Sequence, residues 1–287
     1  QRYVANRAEY ATLSGDKGDA TMVIGPVFRG DWAFDGDVAE GVQPILDHPA
    51  LAEAARQVFD AEIVRPHTVY VNLTPQLPFP QGRGHTDIPG FRGFDRTTVP
   101  VAFLTIMGQS GLFEDVRVKV ATAVAWFYEG DDGGFEYWPD GGDQPVVVHE
   151  GGITNTAVVA DNDFMWHRVR PTGRPEDGLP SLTLDSQLEH RGDDRWALVD
   201  GDRTVAETDR HGLRVSLSWK ATLFDDDEDR RRHDEHLDDI DLDTVLERFR
   251  ADLDQRGVAV EIPTDPLRDP TFVQTLADTY VRFPVGT

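Results

Sequence analysis

The stretch Leu213-Arg-Val-Ser-Leu-Ser-Trp-Lys-Ala-Thr-Leu-Phe224 constrains the fold more than any other part of this 287-residue chain. Polar and apolar residues alternate along it with the period of a β-strand. Arg214, Ser216 and Ser218 fall on one face, opposite Val215, Leu217 and Trp219. If that polar face looks into a barrel, Arg214 needs an anionic partner, because an unpaired buried charge is very costly. A guanidinium fork beside a hydroxyl is a good receptor for a dicarboxylate. The plainer reading is an arginine exposed on an edge strand.

The surrounding segments point the same way. Ile63–Leu73 is rich in β-branched residues and alternates like a strand. From there to about residue 224 the chain reads mainly as strands and turns. Val118–Tyr128, Phe135–Trp138, Pro145–His149 and Asn155–Ala160 are apolar runs broken by Gly-, Pro- and Asp-rich turns. Arg195–Glu207 reads as a hairpin turning at Asp200-Gly201. Helical patterns flank this region: Pro49–Phe59 before it, then a charged run over 225–232, a helix from Asp243 as N-cap to Gly257 as stop, and a last helix from Pro270 to about Val281. The expectation is a single mainly β domain with flanking helices. Its core would span about 63–224, its N-terminal helices about 37–62 and its helical tail about 225–287.

Composition removes several classes of function. With no cysteine there can be no disulfide, zinc-thiolate site or iron–sulfur cluster, so any metal must be held by histidine and carboxylate. The net charge of −24 repels phosphate backbones and argues against a nucleic-acid partner. No apolar run approaches the roughly 20 residues that span a bilayer. No charged segment followed by an apolar one marks a signal peptide. A cytoplasmic location is the expectation.

His85-Thr86-Asp87 is the strongest chemical signal. In an extended segment the side chains of residues i and i+2 share a face, so one imidazole and one carboxylate stand side by side. A second histidine would complete a two-histidine, one-carboxylate face that leaves the other metal positions open, as suits non-haem Fe(II) and O₂ chemistry. His167, in Phe-Met-Trp-His after the turn at 161–163, is the candidate. His149 and His190 compete from poorer settings. The pattern alone is weak, since His236-Leu237-Asp238 repeats it in a charged, helix-adjacent segment where i and i+2 do not face each other.

Taken in order, His-x-Asp, a downstream histidine and Arg-x-Ser on the last strand resemble the Fe(II)/2-oxoglutarate-dependent dioxygenases over about residues 69–224. Val69–Pro75 is similar to the tyrosine-bearing strand before the motif, and Gly133–Gly141 to the family's Gly-Gly hairpin. The resemblance implies a double-stranded β-helix, a jelly-roll or cupin-like barrel. It implies Fe(II) on His85, Asp87 and His167, and 2-oxoglutarate on Arg214 and Ser216, with Tyr70 and Asn72 assisting. It implies oxidation of a small molecule, such as an amino acid or natural-product intermediate, with release of succinate and CO₂. Retention of the Asp87 carboxylate favours hydroxylation or desaturation over halogenation. Arg214 follows His167 by 47 residues (214 − 167), longer than in most members, so the 195–207 hairpin must be an insertion; Arg170 and Arg174 are the fallbacks. Phe91, Arg92, Trp138 and Trp166 flank the motifs and are the expected substrate-pocket residues. The rival readings are a cupin-type metal enzyme without 2-oxoglutarate and a non-enzymatic jelly-roll binding module.

Overall fold

The computed structural model of the protein describes residues 2–4, 24–78, 82–180, 182–183 and 185–285. The strands in chain order are β1 (Arg2–Val4), β2 (Ile24–Phe34), β3 (Asp37–Val38), β4 (Ile63–Thr74), β5 (Gly90–Phe91), β6 (Arg117–Phe127), β7 (Phe135–Trp138), β8 (Val147–His149), β9 (Thr156–Ala160), β10 (Trp166–Val169), β11 (Gln187–Gly192), β12 (Arg195–Asp200), β13 (Arg203–Asp209) and β14 (Arg214–Phe224). The helices are α1 (Gln43–Leu46), α2 (Pro49–Phe59), α3 (Val101–Ser110), α4 (Asp227–Asp234), α5 (Leu242–Gln255) and α6 (Pro270–Tyr280).

One sheet runs β1-β2-β4-β14-β6-β5, with β3 on β2 and β9 on β6. A second sheet runs β10-β7-β8. Its β10 side is extended by isolated antiparallel bridges from Leu77 to Thr172 and from His85 to His167. The chain is therefore mainly β, with antiparallel pairing throughout the described strands.

The last strand is also a central one. β14 lies between β4 and β6, with Ser216 opposite Asn72 and Trp126, and Lys220 opposite Thr68 and Thr122. Its apolar face packs Leu217, Trp219, Ala221 and Leu223 with Val69, Val71, Ala121 and Ala123, beneath Leu46 of α1 and Ala55 of α2. Trp219 keeps its one polar atom satisfied by donating Nε1–H to the Leu46 carbonyl at 2.7 Å. The opposite face of β6 carries Val124 and Trp126, which meet Phe135 and Tyr137 of β7 in a separate apolar cluster. The two sheets thus pack against one another, and the polar face of β14 looks into the space between them.

Two expectations about helices change. The region between 74 and 224 is not only strands and turns, because Val101–Ser110 forms α3. Its Phe103, Leu104, Ile106 and Met107 are buried while the apolar Val101 and Ala102 are exposed, so its letters show little amphipathic contrast to read. α3 forms a second core with β5 and the tail, in which α5 buries Val245, Leu246, Phe249 and Leu253 and α6 buries Phe272, Leu276 and Tyr280. Each large apolar side chain so buried contributes about 1.5–3 kcal/mol. Asp241, not Asp243, caps α5, its side chain accepting from the Thr244 amide at 2.8 Å. Gly257 follows at φ +72°, the left-handed conformation that ends helices at glycine. Among the described residues, no helix is long and apolar enough to cross a membrane.

Candidate metal centre

The site is built by two extended segments laid side by side. The His85 amide donates to the His167 carbonyl at 2.9 Å, and the His167 amide returns the bond to His85 at 2.9 Å. The Asp87 amide donates to the Asn162 carbonyl at 2.7 Å. This pairing brings the two imidazoles together at a centroid distance of 4.4 Å, tilted by 56° to one another. It brings one ligand atom from each of His85, Asp87 and His167 within 4.8 Å of the others. The three metal-site residues read from sequence are therefore neighbours in space.

The protonation states suit a metal. The buried His167 donates Nδ1–H to the Met165 carbonyl at 2.9 Å, which leaves Nε2 with its lone pair toward Asp87 Oδ1, 3.8 Å away. Burial pushes the His167 imidazolium down, against the pull of Asp87. Burial, helped by His167, pushes His85 down to about 4. Both rings are thus neutral at pH 7, the form that ligates. For Asp87 burial alone would raise the carboxyl, yet Lys220 and His167 outweigh it and hold the group below its ordinary value. The donor set, one carboxylate and two neutral imidazoles with only three protein ligands, fits a divalent metal with positions left open.

Strand alternation turns the other polar residues of β14 into the space between the two sheets. Arg214, Ser216 and Ser218 are all buried. Arg214 donates Nε–H to the Gly133 carbonyl at 2.6 Å, while its buried Nη2 has no partner. Burial pushes Arg214 down to about 10, opposed by Tyr128 and Asp132. Gly133 is required here: at φ +65°, an added Cβ would meet Thr172 at 2.5 Å and the Arg214 side chain at 2.9 Å. Asn72 and Tyr70 lie opposite Ser216 and Ser218 in the register, and the Arg29 guanidinium covers the Tyr70 ring at 3.7 Å.

The long interval between His167 and Arg214 is taken up by β11-β12-β13, a three-stranded sheet of its own. The fallback arginines are otherwise engaged. Arg170 pairs with Glu150 and Glu136, and Arg174 lies 3.7 Å from Glu176. His149 bonds to Thr156 and His190 lies against Trp196.

The four residues expected around the substrate are not brought to the site. Trp166 precedes His167 on β10, so alternation turns it to the other face, where it meets Phe283 at 5.4 Å. Trp138 is its partner in register and is buried on that same outer face, with Arg168 over its ring. Phe91 belongs to the helical core, edge-on to Phe113. Arg92 is ion-paired to Asp229 at 2.6 Å and to Asp238 at 3.5 Å.

Sequence reading missed two groups at the centre. Lys220 donates to Asp87 Oδ2 at 2.6 Å. Asp163 is buried with Oδ1 unpartnered, and burial pushes its carboxyl up to about 8. Lys220 was findable, because the alternation that places Arg214, Ser216 and Ser218 on one face reaches it two residues later. Asp163 carries no such signal.

Among the solved structures that match the chain are two of low similarity. One is an oxidoreductase of the 2OG-Fe(II) oxygenase family from Burkholderia pseudomallei, at 14% identity over 70% of each chain with a TM-score of 0.37. Another is a prolyl-4-hydroxylase from Pseudomonas putida, at 16% identity over 76% of this chain and 83% of that one, with a TM-score of 0.29. No family model matches the sequence, and no curated protein matches it.

Proposed function

We propose that this protein is an Fe(II)- and 2-oxoglutarate-dependent oxygenase that hydroxylates a small molecule and releases succinate and CO₂. The observation that carries the reading is the conjunction of the His85–Asp87–His167 cluster with Arg214, a buried arginine whose Nη2 is unpartnered on the same face of β14. An enzyme holding only a metal has no use for that arginine. A cofactor with a distal carboxylate does, and it would relieve the cost of the bare donor.

Strand order supports a double-stranded β-helix, with β4-β14-β6-β9 in one layer and the His85 segment, β10, β7 and β8 in the other. In this reading His85, Asp87 Oδ1 and His167 Nε2 hold the iron. Bound there with 2-oxoglutarate, the metal supplies O₂ activation coupled to oxidative decarboxylation. Arg214 and Ser216 receive the distal carboxylate and fix the cofactor's orientation, while Asn72 and Tyr70 border the same face. The Met165 carbonyl keeps His167 in the tautomer that presents Nε2. The strongly acidic surface disfavours a nucleic-acid substrate.

Anaerobic addition of 2-oxoglutarate to the Fe(II)-loaded protein should produce the weak visible charge-transfer band of the chelate. Arg214→Met should need on the order of 100-fold more 2-oxoglutarate, the scale of a charge-assisted bidentate contact of about 1.5–3 kcal/mol. A band that titrates identically in both proteins would remove the cofactor assignment. Iron binding with no band would point to a metal enzyme that does not use 2-oxoglutarate.

A further inference from the structure

Lys220 is one of only three lysines in the chain, and its ammonium lies inside the site. The two oxygens of Asp87 are divided: Oδ1 is directed at His167, while Oδ2 receives Lys220 at 2.6 Å and Thr122 at 3.5 Å. We propose that Lys220 is a positioning residue that keeps Asp87 a one-oxygen ligand and makes binding of the divalent metal depend on simultaneous binding of an anionic chelator.

Charge in a confined space produces this dependence, which rests on the metal reading given above. The side chains of Lys220 and Asp87 are 18% and 20% exposed, so water screens them weakly. With both histidines neutral, and with buried Asp163 beside Lys220 pushed up to about 8 and so uncharged at pH 7, Asp87 and Lys220 sum to zero. Nearby Asp161 is held by Arg117 at 2.5 Å and does not offset the ammonium. A dication entering this neutral pair leaves a net charge of +2 among largely buried groups. A chelating dianion returns the sum to zero. Without the lysine the metal-loaded site would carry only +1, so metal alone would bind more readily and an anion would be needed less. Lys220 therefore weakens the metal by itself and strengthens the ternary assembly, which is positive coupling between two ligands.

The test is titration with Co(II), with and without oxalate, followed by the visible ligand-field bands of the metal. Oxalate has two chelating carboxylates and no distal carboxylate to reach Arg214, so the result does not depend on that residue. In the wild type, oxalate should lower the Co(II) Kd by more than about tenfold, within the usual range for coupled sites. Lys220→Arg, which keeps the charge, should behave the same way. Lys220→Gln, which keeps a donor to Asp87 and loses the charge, should bind Co(II) alone more tightly than wild type and gain several-fold less from oxalate. Lys220→Met serves as the second uncharged variant, with far-UV circular dichroism reporting whether each folds. Equal oxalate effects in the wild type and an uncharged variant would overturn the proposal. So would a wild type that shows no coupling, a result that needs no variant. A wild type that binds no Co(II) in either condition would sink the metal reading and this inference with it.

Discussion

The chain contains the triplet His-x-Asp twice, and the two copies have opposite fates. His85-Thr86-Asp87 lies in extended backbone, where its two side chains share a face and a third segment supplies His167. His236-Leu237-Asp238 follows α4, with His236 at φ +55°. Its side chains diverge: His236 turns to Asp239 at 3.0 Å, while Asp238 faces Arg92 at 3.5 Å and Arg232 at 3.9 Å. The same three letters set an imidazole and a carboxylate side by side in one backbone and make a clasp between helix and core in the other. Spacing is informative only with the dihedral angles that convert it into direction.

The largest effect should come from striking the first copy. Asp87→Ala should weaken Co(II) binding by at least about 1,000-fold, since it removes the carboxylate of the proposed metal site and leaves Lys220 facing the metal. His236→Ala should leave the Kd unchanged in the same titration. A comparable loss in both variants would erase the distinction between the copies.

Striking the second copy should cost stability instead. Arg92→Met leaves Asp229 and Asp238 without their buried cation and should lower unfolding stability by about 3 kcal/mol in urea melts. Metal binding by the folded fraction should be unaffected. An intact stability combined with lost metal binding would place Arg92 at the site after all.

The smallest effect is in pH. Burial holds His85 and His67 neutral, each down at about 4 against an ordinary value near 6.5. The unfolded chain therefore binds protons at these positions before the folded protein does. Their contribution to stability is complete above pH 6.5 and is lost as pH falls from 6.5 through about 4. Urea midpoints of the metal-free protein should decline across that window. His67→Gln should flatten the decline. A flat profile for the wild type would contradict the burial of both rings.

How far the molecule could be read from its letters depended on whether the signal was local. β14 and α2 show their periods directly, and His85, Asp87, His167 and Arg214 were each legible from strand direction or family pattern. α3 was not, because a segment apolar on every side carries no period. Trp166 and Trp138 are near the motifs in sequence but lie on the strand face opposite His167. On a strand, the residue beside a ligand points away from it. Arg92 follows His85-Thr86-Asp87 closely in sequence, but its partner Asp229 lies 137 residues away. No spacing rule reaches that far.

The position of β14 has a consequence for how the protein is made. This strand fills the slot between β4 and β6, but it leaves the ribosome after every other strand. Until residue 224 has emerged, β4 and β6 cannot be joined and the helices α1 and α2 lack the Trp219 surface they cover. The nascent chain must keep two open edges from pairing elsewhere, the exposure that makes long-range β topologies slow to fold and prone to aggregate. Lys220 and Arg214 arrive on that closing strand, so assembly of the candidate site and completion of the sheet are a single late event.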